Sequence, residues 1–157
     1  MIDTINRYAA YFSALILTLL VALVVYDATA RYLFQTGSIA LQELEWHLFD
    51  IVILLGIGYT LQKNLHVRVD IFYDNFSKHT RNIIDIFAFI CFIFPFSLLI
   101  IYIGFDFVML SFDQLEGSSN PGGLPYRYIV KSLMPLAFVL LGLQVFSELL
   151  KRMKALS

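Results

Sequence analysis

Long apolar runs alternate with short polar stretches along the chain, and four of the runs have the length of a membrane span. A spanning helix needs roughly 20 predominantly apolar residues. The first span is expected over about 8–34: Tyr8 to Tyr26 is uncharged, and the run continues past Asp27 and Arg31. The second covers about 46–63 and holds one carboxylate, Asp50. The third, about 82–112, contains the uncharged stretch Ile86 to Phe105. The fourth, about 126–150, has Lys131 near its start. The first and third runs are apolar on every face, where a surface helix of a soluble bundle would show a polar one. The second and fourth have short uncharged cores, Ile51 to Gln62 and Ser132 to Ser147, whose polar flanks can snorkel to the interface. The pattern predicts an all-α integral membrane fold, with residues 1–157 forming a single four-helix transmembrane domain.

The connections carry their own signals. Gln35 to Leu41, with Gly37 and Ser38, reads as a turn. In the longer stretch from Lys63 to Arg81, Ile71, Phe72 and Phe76 leave Asp70, Asp74 and Lys78 on another face. That pattern predicts a short amphipathic helix in the headgroup layer, anchored by Val69, Ile71, Phe72 and Phe76, with a solvated loop as the other reading. Glu116 to Pro125 is dense in Gly, Ser, Asn and Pro. Pro121-Gly122 predicts a tight turn, and Pro125 is placed to open the fourth helix near its first turn. Pro95 and Pro135 fall inside the third and fourth spans, where a missing backbone donor kinks a helix. Gly56 and Thr60 form a small-xxx-small pair suited to close helix contact.

Charge gives direction. Of the 11 Lys and Arg, eight (Arg7, Lys63, Arg68, Lys78, Arg81, Lys151, Arg152, Lys154) fall on one side and three (Arg31, Arg127, Lys131) on the other. The side richer in Lys and Arg is cytoplasmic, so both termini are expected inside. Ala28-Thr29-Ala30 has the look of a signal-peptide cleavage site. The weakly basic start and the length of the apolar run favour a retained helix instead.

Composition removes several functions. Hydrophobic residues make up 59% and charged residues 15%, against about 25% charged in soluble domains. A net charge of −1 offers no basic field for nucleic acid. The single cysteine, Cys91, lies in an apolar run and reads as an inert small hydrophobe. One Cys and three scattered His do not make a structural zinc site, and His47, His66 and His79 are not paired at mid-span as membrane haems require. The chain has no phosphate-binding G-x-x-x-x-G-K-[ST] motif and no Ser-His-Asp constellation. An enzyme is not expected, nor a cofactor. Internal repeats with broken helices around a midplane site, usual in a transporter core, are also missing.

Ionisable residues cluster near the outer helix ends. Asp27 and Arg31 are four apart and able to pair. Glu43, His47 and Asp50 share a helix face. Arg31 is expected to pair with Glu43 or Glu45 across the first two helices. The cluster reads as a structural clamp, as part of a docking surface, or, least economically, as an ion path. Arg127 and Lys131 form a basic pair suited to a lipid phosphate, a partner carboxylate or simple snorkelling.

The order of several short stretches resembles one family. These are Arg31-Tyr32, the run from Leu41 through Glu43, Glu45, Trp46 and His47 to Phe49, Gly58-Tyr59-Thr60-Leu61, His66 to Asp70, Pro121-Gly122-Gly123-Leu124-Pro125, Lys131-Ser132, Pro135 and Gln144. Together they resemble the small membrane subunit, DctQ-type, of tripartite ATP-independent periplasmic (TRAP) transporters, over nearly the whole chain. The resemblance implies a non-catalytic subunit in the bacterial inner membrane. Its partners would be a large elevator-type membrane subunit, a periplasmic substrate-binding protein and membrane phospholipids. The system would take up organic acids by sodium symport, with sodium held in the large subunit. On this sequence, Arg31, Glu43, Glu45 and Trp46 would brace the first two helices, and the loop from Gly117 to Pro125 would face the docking surface. His47, Asp50, Pro121, Gly122, Gly123 and Lys131 complete the interface candidates. The alternative is an autonomous four-helix multidrug-type exporter that uses Asp50.

Overall fold

The computed structural model describes residues 2–63, 65 and 76–156, the last two by backbone alone. The elements are α1 (Ile2–Leu33), α2 (Ile39–Gln62), α3 (Lys78–Ala88), a π-helical segment (Phe89–Ile93), α4 (Phe94–Asp113), α5 (Arg127–Lys131) and α6 (Leu133–Leu156). Among the described residues, four helical stretches are long and apolar enough to cross a membrane: Ile2–Leu33, Ile39–Gln62, Lys78–Asp113 and Arg127–Lys154. The protein is therefore an all-α integral membrane protein, and no strand occurs among the described residues. The interfacial helix expected around Val69, Ile71 and Phe72 lies outside the described residues. Phe76 is described and exposed, one residue before the Ser77 cap of α3.

The second helix begins at Ile39, ahead of the span expected from about 46. Ser38 caps α2, its hydroxyl accepting from the Leu41 amide at 3.4 Å, which satisfies one of the unpaired donors at a helix start. Asp50 consequently stands about halfway along α2 rather than near its outer end.

Pro95 and Pro135 each disturb the regular helix, in different ways. Ahead of Pro95 the helix widens into the π segment, which relieves the clash between the ring and the preceding turn. Pro135 has no N–H for the Lys131 carbonyl, and the fourth span breaks there into α5 and α6. The Ser132 hydroxyl donates to the Ile129 carbonyl at 2.6 Å beside that break.

The packing is inverted relative to a soluble bundle. In α1 the buried residues are Asn6, Ser13, Ile16, Leu20 and Asp27. Four of them recur every seven residues and so form a seam. In α4 the buried residues Ser97, Gly104 and Ser111 have the same spacing. Most large side chains, such as Phe12, Leu15 and Leu19, face outward. Lipid tails are as apolar as leucine, so helices in a bilayer associate through small residues and polar partners. At Gly104 an added Cβ would lie 3.1 Å from Met134 Cε and 3.4 Å from Pro135 Cβ, which is how closely the third span approaches α6. One apolar cluster remains inside, of Leu61, Phe89, Leu141 and Val145.

In cross-section α1 packs on α2, α2 on α6, and α6 on the third span, while α1 also reaches α6. The end carrying residues 34–38 and 114–126 is the loop end, and the other is the terminal end.

At the terminal end a buried polar network ties α1 to α6. Asn6 Nδ2 donates to Gln144 Oε1 at 2.8 Å. Gln144 Nε2 donates to Asp3 Oδ1 at 2.8 Å and to Glu148 Oε1 at 3.0 Å. Lys151 reaches both Asp3 and Glu148 at 2.7 Å. Asn6 and Gln144 are fully buried. Nearby, Arg152 pairs with Asp85, donates to Asn82 at 3.3 Å and lies 5.3 Å from the Phe89 ring centre.

The close helix contact expected at Gly56 falls at Gly58 instead. Around Gly56 a Cβ would meet nothing within 4 Å. At Gly58 it would lie 2.3 Å from Asn6 Oδ1, and Asn6 is held in place by Gln144. Gly58→Ala should therefore break the Asn6–Gln144 bond and cost about 1–3 kcal/mol, read as a lower unfolding midpoint in detergent. Adding Asn6→Ala should give a loss well below the sum of the two single losses. An additive result would place the clash elsewhere.

Candidate functional site: a carboxylate hub at the loop end

The second turn of α2 presents Glu43, a carboxylate only 8% exposed. The 114–126 connection folds over it. Asn120 to Gly123 form a tight turn closed by Gly123 N–H to the Asn120 carbonyl at 3.0 Å. Gly122 sits there at φ 80°, the left-handed value that position three of a type II turn requires. The turn expected at Pro121-Gly122 is thus present.

Four groups converge on the Glu43 carboxylate. The Ser118 hydroxyl and Asn120 Nδ2 (3.3 Å) donate to Oε1. The Leu124 amide donates to Oε2 at 2.7 Å. Arg127 Nη2 donates to Oε1 at 3.1 Å and to Ser118 Oγ at 3.3 Å. Charge-assisted bonds of this kind are stronger than neutral ones. One side chain thereby joins α2, the loop and the start of the fourth span.

Gly123 allows that convergence. An added Cβ would lie 2.3 Å from Ser118 Oγ and 2.7 Å from Glu43 Oε2. Pro125 stands just ahead of the fourth helix, near its first turn as expected. Tyr126 caps α5 in the left-handed region at φ 62°, so Pro125 precedes the cap. The Arg127 amide then bonds back to the Glu116 carbonyl at 2.8 Å.

The expected pairing of Arg31 is corrected. Arg31 meets Asp27 one turn back on α1, and its guanidinium faces the Gln42 side-chain amide on α2, 3.0 Å away with the amide oxygen turned toward it. Glu43 is drawn instead to Arg127, because the loop delivers three further donors to it. Glu45 points between α1 and α2 into a cavity of about 350 Å³ lined also by Leu20, Val24, Trp46 and Phe49. Its Oε1 has no hydrogen-bond partner among the described residues. Trp46 is 71% exposed. His47 and Asp50 line a separate cleft with Arg127 and Lys131. Lys131 pairs with Glu116 and stacks 4.1 Å from the Phe107 ring centre. Cys91 is exposed on the third span.

Several contributors were not singled out from sequence: Ser118, Asn120 and the Leu124 amide at the hub, and Asn6, Glu148 and Asp3 at the other end. The seven-residue spacing of Asn6, Ser13, Leu20 and Asp27 was the one available signal for a buried polar seam. Asp106 was also passed over, and it is exposed on α4. Among the described residues, no group of three or more His, Cys, Asp or Glu is arranged to hold a metal ion.

A family model for the DctQ component of tripartite ATP-independent periplasmic transporters matches residues 20–155. The chain belongs to the DctQ family. DctQ proteins are transporter components, which agrees with four spans that hold themselves together at their ends. No curated protein matches this DctQ chain. The matched range contains the entire hub, from Glu43 to Arg127.

Two outcomes test the hub of this DctQ protein. Gly123→Ala should overpack it, with a loss of about 1–3 kcal/mol and faster proteolytic cleavage between residues 117 and 125. Unchanged cleavage would show that the loop does not depend on Glu43. The second outcome concerns pH. The Lys131 ammonium holds the Glu116 carboxyl below its ordinary 4.5. A depressed carboxyl stabilises the fold above its unfolded pKa, and that contribution is lost as pH falls through the lowered value. The gap in thermal stability between wild type and Glu116→Gln should thus hold at neutral pH and close below 4.5. A gap unchanged in acid would remove the ion pair as its cause.

Proposed function

We propose that this chain is the non-catalytic small subunit of a TRAP-type secondary transporter in the bacterial inner membrane. It enlarges the fixed scaffold on which a large elevator-type subunit moves. Both termini are cytoplasmic, following the Lys and Arg distribution. The loop end then faces the periplasm, where the Glu43-braced loop helps form the docking surface for a substrate-binding protein. The complex takes up organic acids on a sodium gradient. Sodium and substrate bind in the large subunit, and this chain carries no cofactor.

Family membership supports the assignment, and one structural observation carries the scaffolding role. Asp106 lies exposed on the third span among outward-facing Tyr102, Ile103, Met109 and Leu110. A carboxylate facing lipid costs up to about 3 kcal/mol at mid-span and less toward the end. A partner helix bringing a cationic side chain removes that cost. We place the large subunit on this face.

The test is gentle extraction of the tagged chain. A large multi-span protein should co-purify in a defined ratio, and Asp106→Arg should lower its recovery by about tenfold while the isolated chain melts as wild type does. Undiminished recovery with Asp106→Arg would move the interface to another face. A homo-oligomer that transports alone in liposomes would sink the subunit reading and favour the autonomous exporter built on Asp50.

A further inference from the structure

α2 and α4 both pack on α6, and a cleft runs between them. Toward the loop end it holds about 440 Å³, with Trp46, His47, Asp50, Arg127 and Lys131 in its wall. It continues inward as about 300 Å³ between Phe49, Ile53, Leu54, Phe107 and Met134. Asp50, Val130 and Lys131 line both parts, so the two adjoin. Lys131 ends the short helix α5, one turn into the fourth span. The junction between the polar and apolar parts therefore lies one turn into the fourth span, beside Asp50 about halfway along α2.

The charges in the wall are not all satisfied from within. Glu43 is occupied by its four donors. Lys131 gives one proton to Glu116 and has two left. Asp50 has no hydrogen bond or ion pair among the described residues, although His47 stands one turn away on the same helix. A carboxylate beside apolar walls is costly without a cation. An occupant that suits this wall brings a cation to Asp50 and a slim apolar portion for the inner part. Lys131 and Arg127, already paired with Glu116 and Glu43, keep spare N–H donors for an anionic group beside that cation. The inner part, about 300 Å³ and lined mainly by apolar side chains, has room for a length of acyl chain.

We propose that the α2–α4 cleft binds one glycerophospholipid whose headgroup carries a phosphate and a primary ammonium. The ammonium bonds Asp50, the phosphate faces Lys131 and Arg127, and one acyl chain runs between Ile53 and Phe107. The site stands on the cleft alone and does not depend on where a large subunit binds.

Native mass spectrometry of the full-length purified chain tests this with phosphatidylethanolamine, phosphatidylcholine and phosphatidylglycerol as competing probes. Wild type should retain one phosphatidylethanolamine in preference to phosphatidylcholine by about tenfold, because a quaternary ammonium cannot donate to Asp50. Asp50→Asn should abolish that preference, and Lys131→Gln should weaken all three lipids alike. Equal retention of the probes by wild type and by Asp50→Asn would overturn the proposal, leaving only unselective boundary lipid. A photo-crosslinking residue at Ile53, activated in native membranes, gives an answer that does not rely on either charge variant. An adduct of phospholipid mass supports the site. An adduct of protein mass would assign the cleft to a partner and overturn it.

Discussion

Water is missing from the middle of a bilayer, so a polar group there must find its partner within the protein. That requirement organises this bundle. Asn6, Gln144 and Glu148 form a buried network at the terminal end, and the donors around Glu43 do the same at the loop end. Between them the seams are made of small residues, Ser97, Gly104 and Ser111 on α4 among them. The apolar side chains that would form the core of a soluble protein mostly face outward, where lipid or another subunit covers them.

The result is a body fastened at both ends. The hub at the loop end fixes α2 to the fourth span through a loop that has no regular structure of its own. The network at the terminal end fixes α1 to α6, and Arg152 with Asp85 draws in the start of the third span. Such a body supports the proposed reading of the chain as a fixed scaffold. The cleft between α2 and α4 follows from the same arrangement, since both helices pack on α6 and leave a space where they diverge.

Much of the architecture was legible along the chain. Four apolar runs, the Pro121-Gly122 turn and the helix irregularities at Pro95 and Pro135 each follow from local chemistry: transfer of apolar residues into lipid, a left-handed glycine and a missing N–H. The composition of the loop-end cluster was legible too, since Glu43, His47 and Lys131 stand out as charges or near-charges toward that end, with Asp50 deeper, about halfway along α2. The pairings among them were not. Arg31 and Glu43 are close in sequence and sit at the same end of adjacent helices, yet Glu43 joins Arg127 and a loop more than seventy residues away.

What the sequence determined by itself was therefore the set of helices and the solvent that surrounds them, because both depend on local hydropathy and backbone geometry. Only the tertiary structure decided which polar groups meet, that Gly58 rather than Gly56 touches a neighbouring helix, and that Asp50 has no hydrogen bond or ion pair among the described residues. The reason is physical. In a span where apolar surface faces outward, the hydrophobic pattern no longer says which face is inside. That choice passes to a few hydrogen bonds and small-residue contacts, whose partners are distant in the chain and come together only when the helices pack.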